Sequence, residues 1–388
     1  MAKIGVYTFD FTSDNYGQVL QYLATQEYLK TLGHQATLLS MQGRRPTLSS
    51  KVRWMLRRIA RKLCGIAILK SGSKDKDNIA PEIDEKKALF AQWAACTQRQ
   101  EQEAPRHFED FRNQFFSRQK GYYETFCESG YDAYCVGSDQ TWSYMGYDNM
   151  FGWTPDKAKR FTLAASLGHS KYTDNQISGV EKYLHRFDFV TVREDNGLEF
   201  CRRAGYQRVS KVLDPTFLLP SVEYDKYAEE INTEKPYIFV YLLGGEISIS
   251  MSGILQKCET LGYDVKYVES QGRDEAVEKI PATVGQWLGL MRKASYVLTN
   301  SFHGLAFSLI YHKPMIVFPL VGIMKDMNGR IEDLSKQMGI EERVYDNDFS
   351  VLSHPVDWER IDSIIERNRI VTTELVQATL GEDCVGRV

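Results

Sequence analysis

The strongest constraint in this chain is an alternation of short apolar, β-prone runs with segments of helical period. Ile4 to Phe9 reads as a strand and "DFTSDNYG" as a loop. Gln18 to Leu32 then reads as a helix stopped by Gly33, and "ATLLSM" begins the next strand. Parallel strands need a crossover connection, so this order favours a parallel sheet. After the polar stretch "EYDKYAEEINTEKP" a second series starts with "YIFVYLLGG", "YDVKYVES", "SYVLTN" and "PMIVF", separated by helical segments. At 388 residues the chain also exceeds what one hydrophobic core usually supports. The expectation is an α/β protein of two domains. The first is 1–225, with a helical insertion at about 44–120; the second is 226–355, and 356–388 forms a helix packing back on the first.

Composition narrows the class. Apolar residues make up 43% and aromatics 12%, with six Trp and 22 Tyr, as expected for large cores. A formal charge of −3 argues against a general nucleic-acid binder. The seven cysteines show neither CxxC nor Cys/His ligand spacing, so no metal site is expected and a reduced, cytoplasmic setting fits. "MAKIGVYTFDF" enters a strand without a leader pattern, and no apolar run reaches membrane-spanning length.

Two parallel α/β domains facing a cleft place ligands at the carboxyl ends of their strands. Four junctions of that kind carry chemistry. "TSDNYGQ" offers Asn15, Tyr16, Gly17 and Gln18, and "VGSDQTW" offers Ser138, Asp139, Gln140 and Trp142. "FVTVRED" ends at Arg193 and opens a helix with Glu194 and Asp195. "VLTNSFHG" ends at Asn300 and opens a helix with Ser301 as N-cap and His303 in its first turn, followed by Gly304. Asp139 and Glu194 are also ordinary capping residues, and Asn15 with Gly17 is ordinary turn chemistry.

Taken together, a helix N-terminus at 301–304 favours a phosphate or carboxylate, and an arginine fork suits either. Carboxylates at Asp139 or Glu194 suit removal of a proton from an alcohol. These residues point to a transferase for an anionic donor and a hydroxylated acceptor.

The stretches "KIGVYTFDFTSDNYGQVLQYLATQEYLKTLGH", "YDAYCVGSDQTW", "TVREDNGLEFCRRAG", "VLDPTFLL" and "ASYVLTNSFHGLAFSLIYHKPMIVF" resemble, in order, the motifs of the polysaccharide pyruvyl transferase family. The resemblance implies two Rossmann-like domains in a glycosyltransferase-B-like arrangement, with the acceptor on the first and the donor on the second. It implies phosphoenolpyruvate as donor, a pair of sugar hydroxyls as acceptor, a cyclic pyruvate ketal as product and no cofactor. His303 is then the acid, with Asp139 and Glu194 as bases. The donor falls to Arg193, Asn300, Ser301, Gly304, Lys313 and Arg330. The acceptor falls to Asn15, Tyr16, Gly17, Gln18, Ser138, Gln140 and Trp142. Some branches of the family carry Arg where this chain has Ser301, so the donor's cation is expected from Arg193, Lys313, Lys325 or Arg330.

The setting implied is capsular or exopolysaccharide assembly, with the acceptor sugar on a lipid (undecaprenyl-diphosphate) or nucleotide carrier. Between Arg44 and Lys74 stand ten Lys or Arg and no Asp or Glu. As a helix this segment has an apolar face and a basic one, suited to the inner surface of an anionic membrane. A nucleotide-sugar glycosyltransferase and a non-catalytic glycan-binding subunit remain the alternatives.

Overall fold

The computed structural model describes residues 1–9, 12–43, 80–143, 149–168 and 172–381. The basic segment 44–74 lies outside them.

The N-terminal half contains β1 (Lys3–Tyr7), α1 (Tyr16–Thr31), β2 (Gln35–Met41), α2 (Ala80–Glu103), α3 (Phe108–Phe115), β3 (Arg118–Gly121), α4 (Tyr123–Glu128), β4 (Ala133–Val136) and β5 (Lys159–Thr162). It continues with α5 (Asp174–Leu184), β6 (Val190–Val192), α6 (Asp195–Arg203), β7 (Val209–Lys211), a 3-10 turn at Pro215–Leu218 and α7 (Ser221–Asp225). The strand order β3-β2-β1-β4-β5 is parallel at every pairing. Parallel bridges at Phe161–Phe189 and Ala165–Val192 attach the β6-β7 pair to its β5 edge. β1 and β4 lie in the middle; β4 is wholly buried and so are the three central residues of β1, which is why they read as apolar runs rather than alternating ones.

The second half holds β8 (Tyr237–Tyr241), α8 (Met251–Thr260), β9 (Asp264–Tyr267), α9 (Val284–Lys293), β10 (Tyr296–Thr299), α10 (Phe302–Ile310), β11 (Met315–Val317) and α11 (Gly329–Met338). Its sheet, β11-β10-β8-β9, is again parallel throughout. Each half is therefore a Rossmann-like α/β unit, and the two sheets send their carboxyl ends toward a common crevice.

Three contacts tie the halves together. α12 (Trp358–Leu380) follows the second sheet yet packs on the first half. Arg369 donates to the carbonyls of Phe217 and Leu219 at 2.7 and 3.0 Å, and the hydroxyls of Thr373 and Tyr28 lie 2.8 Å apart. Tyr16, at the start of α1, is fully buried; its hydroxyl donates to the Ala282 carbonyl at 2.7 Å and its ring stacks on Trp287. α2 reaches across from the first half, with Thr97 donating to Asp14 at 2.6 Å on one side and Gln100 to the Arg273 carbonyl at 2.9 Å on the other. No helix among the described residues is long and apolar enough to cross a membrane.

Candidate functional site

Where β10 ends, Asn300 turns its side chain back on the chain, accepting from Leu243 N at 2.7 Å and donating to Leu243 O at 3.0 Å. This fixes the loop after β8 beside the start of α10. Ser301 caps α10, its hydroxyl accepting from Gly304 N at 3.3 Å. His303 follows in the first turn and is buried except for the part of its ring on the cleft wall.

The imidazole is held from two sides. Nε2 is buried without a hydrogen-bond partner, 3.7 Å from Asp214 Oδ2, an ion-pair distance. The other side lies against α1, so close that a β-carbon on Gly17 would fall 2.0 Å from Nδ1. Glycine at 17 is therefore a packing requirement.

Beneath the histidine is a buried ionic cluster. Arg193, just after β6, donates from Nη1 to Asp214 at 2.6 Å and lies over the Phe302 ring at 4.4 Å. Its Nη2 is 3.8 Å from Asp139 and its Nε 3.7 Å from Glu194. Asp214 also accepts from Ser138 Oγ at 2.7 Å and from the backbone N–H and hydroxyl of Thr216 at 3.0 and 2.9 Å. Burial acts to raise the Asp214 carboxyl. His303 and then Arg193 outweigh it and hold that carboxyl far below the ordinary carboxylate range. Burial likewise disfavours the Arg193 cation, but Asp214, Glu194 and Asp139 more than compensate.

The cleft above this cluster is about 520 Å³, within the usual size of small-molecule sites. Its polar wall includes Asn15, Gln18, Asp139, Gln140, Asn300, Ser301, His303 and Arg330, with Lys86 and Asp326 as further charged residues. Asp139 follows β4 with φ 63°, a left-handed conformation that Asp tolerates better than most residues, and its carboxylate accepts from Gln18 Nε2 at 3.3 Å. Arg330 enters from the first turn of α11. With its amide oxygen turned toward Arg330, Gln140 accepts from Nη2 and Nη1 at 3.0 and 3.3 Å. Among the described residues no carboxylate lies within ion-pair distance of Arg330, and its Nε is buried without a partner. Burial, together with the like charge of Arg193, outweighs the attraction of Asp139, Glu194 and Asp214 and lowers its pKa to about 10.

Several expected site residues sit elsewhere. Tyr16 is core between the halves rather than an acceptor contact. Trp142 is fully buried against Phe187, in the hydrophobic cluster beside the first sheet. Gly304 does not open the helix end to a ligand, because a β-carbon there would meet Thr299 Oγ1 at 2.2 Å. Lys313 follows α10 and precedes β11, so it stands at the end of the second sheet away from the cleft. Glu194 lies below the cleft surface, where Ser166 Oγ and Leu167 N donate to it. Arg193 is also subsurface: its Nη1 is taken by Asp214 and Ser138, while Nε and Nη2 are buried among Glu194 and Asp139 without a hydrogen-bond partner.

Three functional positions escaped the sequence reading. Asp214 lies in the quoted "VLDPTFLL", and an acid directly after a strand-like run was its available signal. Phe90 and Trp93 on α2 line the open side of the cleft. Their trace in sequence is two aromatics three residues apart in the uncharged middle, "ALFAQWAACTQ", of a helix charged toward both ends. Among the described residues no group of three His, Cys, Asp or Glu could hold a metal ion.

Fold and cleft define a two-domain α/β protein with a histidine and an arginine on the wall of one cleft between its halves. The chain belongs to the polysaccharide pyruvyl transferase family, whose sequence pattern it matches over residues 15–320. No curated protein matches its sequence significantly. Among solved structures it is similar to a UDP-N-acetylglucosamine 2-epimerase, with TM-score 0.49, 11% identity and coverage of 100% of this chain and 98% of that one. It is also similar to the UDP-GlcNAc 2-epimerase of Methanocaldococcus jannaschii (0.46, 10%, 95% and 99%). A glycosyltransferase from Streptomyces sp. SF2575 gives 0.45, 11%, 97% and 100%.

Proposed function

We propose that this protein transfers the enolpyruvyl group of phosphoenolpyruvate to two hydroxyls of a sugar, forming a cyclic pyruvate ketal and releasing phosphate. The sugar belongs to a carrier-linked intermediate of surface-polysaccharide assembly. The observation that carries the reading is Arg330: a largely buried guanidinium, in ion-pair contact with no carboxylate among the described residues, on the same cleft wall as the first turn of α10. Such a charge is costly unless an anion joins it, and a phosphate or carboxylate accepts its fork in two parallel bonds. Arg330 thus takes the place of the arginine that some family members carry at position 301.

In this reading phosphoenolpyruvate lies between Arg330 and the α10 N-terminus, with its methylene carbon toward His303. Asp214 holds the imidazolium from the Nε2 side, leaving Nδ1 to deliver a proton to that carbon. C2 becomes electrophilic, and an acceptor hydroxyl adds to it while losing its proton to Asp139. The C2–O bond to phosphate then breaks, and a second hydroxyl adds to close the ketal, its proton returning to the now neutral imidazole of His303. Gln18 keeps Asp139 directed at the acceptor. Glu194 and Arg193 act one layer below, balancing the charge on which His303 rests.

The test is mass spectrometry of candidate lipid-linked and nucleotide-linked sugars incubated with the protein and phosphoenolpyruvate. A mass gain of one ketal with release of phosphate is expected. Consumption of a nucleotide sugar with phosphoenolpyruvate left intact would place the protein among glycosyltransferases instead.

A further inference from the structure

The cleft does not end at α2. Beyond Trp93 lies a second cavity of about 640 Å³, enclosed by α2, the turns at 244–246 and 272–274, and the segment Gly322–Met327. Trp93, Ile323 and Met324 line both cavities, so the two share one wall. Trp93 is seated rather than loose. A β-carbon at Gly244 or Gly272 would come within 2.6 or 2.7 Å of its ring, and only 7% of the residue is exposed. Phe90 stands edge-on to it with ring centres 5.3 Å apart and is 47% exposed, which is unusual for a phenylalanine without a covering partner.

The rim of this second cavity is polar. Arg99 donates to Asp274 there, both side chains being about half exposed or more, and Glu246 adds a second carboxylate. Two carboxylates against one guanidinium make the rim net negative. That disfavours another phosphate or uronate and suits a neutral ligand rich in hydroxyls. Hydroxyls donate to Glu246 and Asp274 and accept from Arg99, while the aromatic and backbone floor takes a flat apolar ring face.

We propose that the second cavity binds a neutral sugar unit adjoining the one that is pyruvylated, so that the preferred acceptor is at least a disaccharide. Trp93 is the divider between the two sugar positions, and Asp274, Glu246 and Arg99 select the outer unit. This rests on the pyruvyl-transfer reading for the position of the inner sugar.

The experiment uses the full chain with two matched probe sets. One contains methyl glycosides of galactose, glucose, mannose and N-acetylglucosamine. The other contains disaccharides bearing the same sugars at their non-reducing ends. Phosphate release from phosphoenolpyruvate and saturation-transfer NMR are read in parallel. For the reactive sugar, the disaccharide should exceed the monosaccharide in kcat/KM by about tenfold, the yield of one or two hydrogen bonds. In Asp274→Ala and in Arg99→Ala that ratio should fall toward one. Equal values for the two probe sets in wild type, or a ratio surviving both substitutions, would overturn the proposal. Disaccharide saturation transfer that is lost in Asp274→Ala, without phosphate release from any probe or from the carrier-linked sugars, would uphold the sugar site and defeat the pyruvyl-transfer reading. Neither saturation transfer nor phosphate release would defeat the sugar site.

Discussion

His303 and Gly17 come from different halves of the molecule, and the imidazole occupies the space where a side chain on residue 17 would begin. A β-carbon there would lie 2.0 Å from Nδ1 and 2.2 Å from Cγ. The proposed acid is thus positioned by the docking of α1 against α10, and the two halves build the site jointly.

Gly17→Ala tests this directly. The added methyl must displace the ring, at an overpacking cost of about 1–3 kcal/mol. The variant should remain folded, with a lowered Tm by calorimetry. Turnover should fall far more than phosphoenolpyruvate affinity, because the donor's anion contacts lie on Arg330 and α10. Unchanged turnover would separate ring position from catalysis.

Asp214→Asn removes the charge opposite His303 and Arg193 while keeping the shape. Leaving Arg193 buried without its 2.6 Å partner should cost about 3 kcal/mol at neutral pH. The pH dependence has a definite sign. The folded Asp214 carboxyl is depressed, so its contribution is complete above the unfolded pKa and disappears as pH falls through the folded one. The stability gap between wild type and variant should therefore stay level down to about pH 5 and narrow only below about pH 4. Denaturant melts across that range check it. A gap that closes already between neutral pH and pH 5 would assign the effect to another group.

Arg330→Met should separate stability from binding. Replacing a buried cation that makes no close ion pair by an apolar side chain should leave the free protein as stable as wild type or more stable, by about 1 kcal/mol. Inorganic phosphate and phosphoenolpyruvate should raise the Tm of wild type but not of the variant, as expected when a ligand binds only the folded state. Donor affinity should fall about 10- to 100-fold, the scale of a charge-assisted pair. Undiminished stabilisation by phosphate would move the anion site elsewhere.

Tyr16→Phe distinguishes a core residue from a ligand contact. Losing the bond to the Ala282 carbonyl leaves a buried acceptor unpaired, for a cost of about 1 kcal/mol, and kinetic constants for both substrates should hold. A raised acceptor KM with unchanged stability would return Tyr16 to the acceptor site.

The alternation of apolar runs and helical segments was enough to read the two parallel sheets, because buried strands and amphipathic helices leave opposite periodicities. The strand-end rule likewise led to Asn15, Gln18, Asp139, Gln140, Asn300, Ser301 and His303, all on the cleft wall. What the rule could not resolve is depth. Arg193 and Glu194 end a strand as Asp139 does, yet the attachment of β6 and β7 to the sheet edge leaves them beneath the surface, where they neutralise one another. Tyr16 and Trp142 flank cleft residues but turn the other way, as neighbours on a helix or tight turn must. Phe90, Trp93 and the second cavity depend on α2 crossing to the other half, a long-range contact that no local pattern records.

The central claim is that His303 supplies the proton to the donor's methylene carbon, and His303→Asn measures it most directly. Asparagine keeps hydrogen-bonding capacity and fits beside Gly17, but it cannot act as the acid. Turnover of phosphoenolpyruvate with the acceptor should be compared with its binding by calorimetry in the same folded preparation. The account predicts retained donor binding and a loss of at least about 100-fold in turnover, the scale of general acid catalysis. Near-normal turnover in a folded His303→Asn protein would contradict it.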